Sequence, residues 1–200
     1  TLDQIDLNSF ADWADLCDEL VDDGRGGTRK RAVCNAIFDS VGSAWQSFLD
    51  IARGAWAEPY IAAGKVRLAL LADSEPVFLV GGGNSREVTI TTLGRSQRPN
   101  SVEVQYFNEE ANYDADSAKR VDEASIFTDG DPEGSETIGT VGVTAPAQAY
   151  RLAAFRRNWH RLVKQRASWV GGPDSLHLLP GDVVALVAPG VFNGAAGRTI

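Results

Sequence analysis

The sequence predicts an α+β protein built from two units. In three segments apolar residues recur at steps of three and four, the spacing of amphipathic helices. Other segments alternate apolar and polar residues, as half-buried antiparallel strands do. The pattern of apolar and polar residues along the chain changes at a glycine-rich stretch, 81–84. We therefore predict a helix–strand–helix–strand–strand unit at 1–80, a linker at 81–84, and a mostly antiparallel β barrel or sandwich with one long packed helix at 85–200.

The first unit opens with a predicted helix that Asn8 or Ser9 can cap. The turn-forming residues at 22–27 end this helix. Residues 31–38 are predicted to form a strand. The apolar face of the helix comprises Phe10, Trp13, Ala14, Cys17, Leu20 and Val21.

A second helix is predicted to open at Asp39 or Ser40 and to end at Gly54. After it, two strand-like runs flank Gly64, and the second run alternates apolar and polar residues. That pattern predicts a β-hairpin over 56–71.

The second unit begins with alternating strands near 88–92 and 102–106. Residues 108–135 are polar and acidic, so we expect a long hairpin or an exposed arm there. Another strand is predicted at 136–143, and a continuous apolar strand at 183–188.

The longest helix is predicted at about 144–166, with Thr144 as its cap and Pro146 in its first turn. Its predicted apolar stripe comprises Leu152, Phe155, Trp159 and Leu162. Arginines and a lysine lie away from this stripe, at Arg151, Arg157, Arg161 and Lys164. Such a basic face can contact DNA phosphates, but we expect it to pair with acids of this chain or of a neighbouring subunit.

Composition excludes some classes of function. The net charge of −8 and the pI of about 4.8 argue against general nucleic-acid binding. Neither a membrane-spanning run nor a signal peptide is recognisable, and the absence of methionine suggests an excerpt of a longer polypeptide. Cys17 and Cys34 are expected to be buried free thiols; a disulfide between them is the alternative.

Catalytic residues are not evident. The two histidines, His160 and His177, lie on a basic helix and in a predicted strand, and neither is near a nucleophile turn. The stretch 81–85 lacks the lysine of a phosphate-binding P-loop. We therefore predict no catalytic and no cofactor-binding residues, no cofactor, and no enzymatic activity.

An acidic run, Asp129-Gly130-Asp131-Pro132-Glu133, lies close to Asp122 and Glu123. Calcium requires six to eight oxygen ligands, and the EF-hand spacing is absent. A solvated acidic turn is the prediction, with no metal ligand assigned; a weak divalent-cation site is the alternative.

Several segments resemble the tail tip attachment protein J family of lambda-like phages. In the first half they are 10–24, which ends in Cys-Asp-Glu-Leu-Val-Asp-Asp-Gly, and the Arg-Ala-Val-Cys-Asn of 31–35. In the second half they are 100–108, the Gly-Val-Thr-Ala-Pro-Ala-Gln-Ala-Tyr-Arg-Leu-Ala of 142–153, and the Leu-Pro-Gly-Asp-Val-Val of 179–184. They cover nearly the whole chain in the family's order, and the chain is similar too to gene-transfer-agent hub proteins.

This resemblance implies a non-catalytic hub at the virion tail tip, made in the bacterial cytoplasm. It implies a trimer of copies of the chain in the intact tail tip, contacts with neighbouring tail tip proteins, and host-receptor binding by regions outside this chain. No membrane contact and no specific nucleic-acid binding are expected. A tail-associated cell-wall or polysaccharide hydrolase, and a module that itself binds the receptor, are the alternatives.

Overall fold

The computed structural model describes residues 2–38, 43–72, 74–128, 130, 133–187 and 197–199. The fold is a mixed α+β arrangement, as the sequence predicts. Three α-helices lie in the described residues, α1 (Leu7–Asp18), α2 (Ala44–Arg53) and α3 (Pro146–Leu162). The strands are β1 (Leu20–Asp22), β2 (Thr28–Lys30), β3 (Ala57–Ala62), β4 (Lys65–Leu70), β5 (Phe78–Val80), β6 (Ser85–Thr92), β7 (Ser101–Asn108), β8 (Asp114–Val121), β9 (Ser135–Gly139), β10 (Gln165–Gly171), β11 (Val184–Leu186) and β12 (Gly197–Thr199).

The centre of the molecule is a three-stranded sheet in the order β8-β7-β9, on which α3 packs. Strand β7 pairs antiparallel with β8 and parallel with β9. Alternate β7 side chains, Val102, Val104 and Tyr106, are buried against the helix because a strand directs every second side chain to the same face. The predicted hairpin or arm at 108–135 thus begins as the β7–β8 hairpin, whose second strand lies within this sheet.

The buried face of α3 differs from the predicted stripe. It consists of Gln148, Ala149, Leu152 and Ala153, and the small side chains allow the helix to approach the sheet closely. Phe155 is only partly buried, and Leu162 is 76% exposed. The prediction of Leu162 as a core residue is wrong because the face is set by the alanines.

The end of α3 also differs from the prediction. The helix stops at Leu162 rather than near 166, and Val163 adopts an extended conformation while its N–H donates to Trp159 O. The residues that follow form β10, which pairs antiparallel with β6. Strand pairing therefore replaces the last predicted helical turn. At the other end Pro146 occupies the first turn, as predicted, while Thr144 precedes the capping residue Ala145.

Helices α1 and α2 pack around the β3–β4 hairpin, which confirms the predicted hairpin. Its two-residue turn places Ala63 at φ 51° and Gly64 at φ 74°, the left-handed conformations that tight hairpin turns require. The indole of Trp13 donates to Ala55 O at 3.0 Å, joining α1 to the segment between α2 and β3. The predicted end of the second helix is also confirmed, since α2 stops at Gly54.

Residues 31–38, predicted as a strand, form no strand. The strand lies earlier, at β2, which pairs with β1. Among the contacts that hold the backbone beyond it, Asn35 N donates to Gly142 O at 2.8 Å, and Val33 N donates to the Gln148 side chain at 3.0 Å. These contacts join residues 33–35 to α3 and to the segment that precedes it.

Helix α1 begins after Asp6 rather than at Asn8 or Ser9; the Ser9 hydroxyl donates to Asp6 O at 2.9 Å. The predicted start at Asp39 or Ser40 lies outside the described residues. The described helix α2 follows Ser43, whose hydroxyl accepts from Gln46 N at 3.4 Å.

A smaller unit has its own apolar cluster, made of Val80, Val184 and Leu186 with surrounding side chains of β6 and β10. It combines 78–92 with 165–187, whereas 101–162 pack with the N-terminal third of the chain. The predicted boundary at 81–84 therefore does not divide the packing. Those four residues form a turn in which Ser85 N donates to Gly81 O at 3.0 Å.

The two units touch at the predicted turn around Pro180. Gly181 has φ 94°, and a Cβ at this position would lie 2.5 Å from Ala69 Cβ. Only glycine permits this approach of the backbone to β4. Within the described residues the strands form sheets of two or three members, so no closed barrel is present, and the pairing of β5 with β11 is parallel.

Candidate interaction surfaces

Both histidines contact groups that do not form a catalytic triad. His160 Nε2 lies 2.6 Å from Glu136 Oε2, and the same carboxylate accepts two hydrogen bonds from Arg156 at 3.1 and 3.2 Å. Burial acts to raise the pKa of Glu136, but the bonds from Arg156 and His160 outweigh it and hold that pKa below its usual range. His177 lies in no strand, contrary to prediction, and its ring packs edge-on against Phe78 at 5.5 Å.

Two of the acidic residues considered as metal ligands are ion-paired with cationic side chains of this chain. Glu133 pairs with Lys119 at 2.6 Å, and the buried Asp122 pairs with Arg161 at 3.1 Å. Asp129 and Asp131 lie outside the described residues. In the described part of the chain, no group of three or more histidine, cysteine or acidic side chains is arranged to hold a metal ion.

Both cysteines are free thiols. Cys17 is half-buried and Cys34 is exposed, so the expectation of burial fails for Cys34. The Cys34 sulfur nevertheless faces Gly142, where an added Cβ would collide with it. Burial raises the pKa of both thiols, and Asp18 adds to this effect at Cys17. Both groups therefore favour the neutral, weakly nucleophilic form.

A charged groove of about 390 Å³ lies where the turn after β1, the β7–β8 turn and α3 meet. Two arginines of the β1–β2 hairpin bind two glutamates of the β7–β8 turn. Arg25 makes a bidentate pair with Glu110 at 2.7 and 2.9 Å, and Arg29 binds Glu109 at 3.0 Å. Arg151 of α3 donates to two backbone carbonyls across the groove. These contacts fasten the N-terminal segment onto the central sheet.

A second concave site, here named the basic pocket, has a volume of about 270 Å³. Its walls are the loop before β7, the segment 122–125 after β8, and the C-terminal part of α3 with Lys164 beyond its end. Among the described residues, its lining includes the carboxylate of Asp122 and five cationic side chains, Arg95, Arg98, Arg157, Arg161 and Lys164. On the predicted basic face of α3, Arg161 pairs with Asp122, and Arg157 donates to Val121 O and to the Asn158 side chain.

Large apolar side chains are exposed on the segment 33–38, here named the apolar segment. Ile37 is 94% exposed, Phe38 is 51% exposed and Val33 is 38% exposed. Elsewhere Phe127 and Leu176 are more than four-fifths exposed. Large contiguous apolar patches are uncommon on folded monomers and often contact another molecule. Sequence reasoning missed this segment because it assigned it to a strand.

None of the described helices combines the length and apolar character required to cross a membrane.

The chain matches a known family model, whereas a search of curated proteins gives no match. Residues 50–199 match the family model described as putative phage tail protein.

Solved structures resemble this fold at low sequence identity. The tail protein from Neisseria meningitidis MC58 superposes with a TM-score of 0.57 at 15% identity, over 86% of this chain and 50% of that one. A chain of the virion of a native gene transfer agent particle gives 0.50 at 17% identity, over 63% of this chain and 28% of that one. This chain therefore spans half or less of the solved chains it resembles. Because the family match covers most of its length, the chain belongs to the putative phage tail protein family.

Proposed function

We propose that this chain is a structural part of the hub at the tip of a phage or prophage tail, where it contributes to tail assembly, host attachment and DNA delivery without catalysis. The observation that carries the proposal is the family match over 50–199. The segments that resemble the tail tip attachment protein J family support the finer assignment to the tip.

The geometry of the charged residues supports a structural role. Glu136 binds both His160 and Arg156, and the three side chains form a compact ion-pair group. A general base must reach a substrate proton at hydrogen-bonding distance. These side chains instead join β9 to α3, which fixes the central sheet against its helix.

The apolar segment supports assembly with other subunits. An isolated domain gains little from exposing Ile37 and Phe38, whereas burial of each large apolar side chain in a subunit interface contributes about 1.5–3 kcal/mol. We propose that this segment contacts a neighbouring tail tip protein or another copy of the chain. A trimer in the intact tip, with receptor contact by other regions of the polypeptide, agrees with this role.

Labelling of purified tails tests the location. An antibody against this chain should decorate one end of each tail, seen by negative-stain electron microscopy. An antibody against the tail tube protein, which should decorate the whole length, is the control. Label on the shaft or at the head-proximal end would refute the tip assignment.

Substitution within the apolar segment tests the assembly role. Ile37→Asp should leave the melting temperature of the isolated chain unchanged, because the side chain makes little contact within it, but should block incorporation into tails. Leu176→Asp is a matched control, since Leu176 is similarly exposed, at 85%, but lies on the smaller unit. Normal tail assembly by the Ile37 variant would contradict the proposed contact.

Release of cell-wall fragments by the purified chain would contradict the non-catalytic role.

A further inference from the structure

We infer that the apolar segment of one copy of this chain docks into a pocket on the next copy, so that copies join head to tail. The pocket, here named the apolar pocket, has a volume of about 440 Å³ and lies between the end of α2, β9 and α3. The inference deepens the proposed function and rests on it, because it assigns the two surfaces that join copies of the chain within the tail tip.

The floor of the apolar pocket is a place where the main core reaches the surface. Its described lining includes the buried side chains of Trp56 and Leu152. Leu71, Ile138 and Phe155 also line it, and these three pack against the core but are only partly buried. Covering partly exposed apolar surface is favourable in proportion to the area removed from water. The floor therefore favours an apolar side chain as the occupant.

Charged side chains at the rim of the pocket are bonded within their own chain. Arg53 makes a bidentate pair with Glu58 at 2.6 and 3.0 Å, and Arg156 makes one with Glu136 at 3.1 and 3.2 Å. The Asp50 carboxylate accepts a hydrogen bond at 2.8 Å from a side chain one turn earlier on α2. A charged ligand would compete with these bonds and would lose hydration on entering. An uncharged occupant leaves them intact.

The apolar segment has the properties that this pocket requires. Its six residues, Val-Cys-Asn-Ala-Ile-Phe at 33–38, include no acidic or basic side chain. Ile37 is 94% exposed and Phe38 is 51% exposed, and neither is among the described residues that line the pocket of their own chain. An uncharged apolar projection therefore matches an apolar floor whose rim charges are already paired.

The backbone just before this projection is anchored. Asn35 N donates to Gly142 O at 2.8 Å, and the Asn35 side-chain amide donates to Thr144 Oγ1 at 3.1 Å. Gly142 also lies close to Ala36, since an added Cβ at this glycine would be 3.4 Å from Ala36 Cβ. A projection that is held in place before binding loses less conformational entropy on docking. The two large side chains that follow are therefore presented from a fixed base.

The projection and the pocket are different surfaces of one chain, and this determines the symmetry of the contact. A patch that binds itself joins two copies about a twofold axis, whereas a projection that binds a different surface gives a heterologous contact. Heterologous contacts close into a ring when the rotation between neighbours permits it. The trimer of the proposed function is a ring of this kind, with one such contact between each pair of neighbours.

Photo-crosslinking of the 200-residue chain tests the contact. Phe38 is replaced by photoreactive p-benzoylphenylalanine in unlabelled chains, which are mixed with unmodified chains labelled with heavy nitrogen. A crosslink between a light and a heavy peptide joins two copies. At a chain concentration of about one millimolar, the weak end of specific association, such crosslinks should form. Mass spectrometry should place them at 50–58, 136–140 or 152–156.

A second substitution shows whether the apolar segment is responsible. Ile37→Asp in the photoreactive chain should lower the yield of crosslinks between copies about tenfold, because docking would bury a carboxylate. Its melting temperature should equal that of the parent, which shows that the variant folds. Leu176→Asp is the matched control, since this exposed residue lies on the smaller unit, and it should leave the yield unchanged.

Several results would overturn the inference. They are crosslinks confined to one chain, crosslinks to a surface of another copy away from the apolar pocket, no crosslinks between copies, or a yield unaffected by Ile37→Asp. Crosslinks from Phe38 to a different protein in purified tails would identify that protein as the partner of the segment and refute the contact between copies. Antibody label at the tail tip together with any of these results would refute the docking and leave the proposed function standing, whereas label elsewhere on the tail would refute the proposed function itself.

Discussion

Gln148 joins three segments of the larger unit, and its replacement tests how that unit is held together. The side chain is 2% exposed at the start of α3. Its carbonyl oxygen accepts from Val33 N at 3.0 Å, and its amide donates to Gly54 O at 3.2 Å. One residue therefore satisfies a backbone donor of the apolar segment and a backbone acceptor at the end of α2.

Gln148→Leu keeps the side-chain volume and removes both bonds. Each buried polar group left without a partner costs about 1–3 kcal/mol, partly offset by the added apolar contact. We expect a loss of about 2–4 kcal/mol in the free energy of unfolding, out of about 5–15 kcal/mol for a typical domain. For a chain of this size that lowers the melting temperature by roughly 4–16 °C.

Thermal unfolding followed by circular dichroism measures this loss. Gln46→Leu is the matched control, because the Gln46 side chain bonds Asp50 on the exposed surface of α2 and such pairs contribute about 0.2–0.5 kcal/mol. If Gln148→Leu melted within 1 °C of the parent, the two bonds would not hold these segments.

The pH dependence of Gln148→Glu provides a second readout. Burial beside Gly54 O disfavours the charged carboxylate, so the folded-state pKa of the new glutamate should exceed its unfolded value of about 4.3. A raised folded-state pKa leaves stability intact below the unfolded pKa and removes it as pH rises through the folded pKa. The variant should match the parent near pH 4 and be less stable at pH 7; an equal deficit at both values would refute this reasoning.

Three further predictions concern packing, acid sensitivity and thiol chemistry. Leu152→Ala should lower the free energy of unfolding by about 2–5 kcal/mol. Leu162→Ala on the same helix should change it by less than about 0.5 kcal/mol. Equal losses for the two variants in chemical denaturation would show that Leu162 is a core residue. The lowered pKa of Glu136 means that its ion pairs stabilise the fold above the unfolded pKa and that this contribution is lost as pH falls through the folded one. Melting curves from pH 7 to 2.5 should therefore show the deficit of Glu136→Gln relative to the parent disappearing in acid, and a constant deficit would argue against the pairing. Because the pKa values of Cys17 and Cys34 are raised, alkylation of these thiols at pH 7 should be slow and should accelerate above pH 9. Thiol titration of the denatured, unreduced protein should find both thiols. Their absence would indicate the alternative disulfide.

Local signals in the sequence were sufficient for several elements. The β3–β4 hairpin follows from alternating residues around Gly64, the end of α2 from Gly54, and the start of α3 from Pro146. Each depends on the backbone preference of one residue and its immediate neighbours. The α+β class follows from the same periodicities, since they distinguish helices from half-buried strands.

Contacts between distant segments were beyond the sequence alone. The parallel pairing of β7 with β9, and the placement of β6 beside β10, join residues far apart in the chain. The core face of α3 was misplaced because large apolar residues were weighted above alanines and a glutamine. Gln148 gave no signal of burial, since a polar residue becomes a core residue only where backbone groups of other segments meet it.

The basic pocket shows the same limit. The basic residues of α3 were predicted to pair with acids of this chain or of a neighbouring subunit, and Arg161 does pair with Asp122. Arg95 and Arg98 lie about sixty residues earlier and could not be placed opposite this helix from periodicity. This pocket therefore forms where segments meet that sequence reasoning treated separately.

The discontinuous path of the chain has a mechanical consequence. Up to residue 187 the backbone passes between the larger and the smaller unit three times, near 72–77, 93–100 and 163–165. With a single backbone connection the two units could rotate relative to each other, and with two connections they could bend about a hinge. Three connections at separate positions resist both rotation and bending. Torque or tension applied to either unit is therefore transmitted to the other. In an assembly that must stay intact while it is pulled or twisted, the two units respond to load as one body.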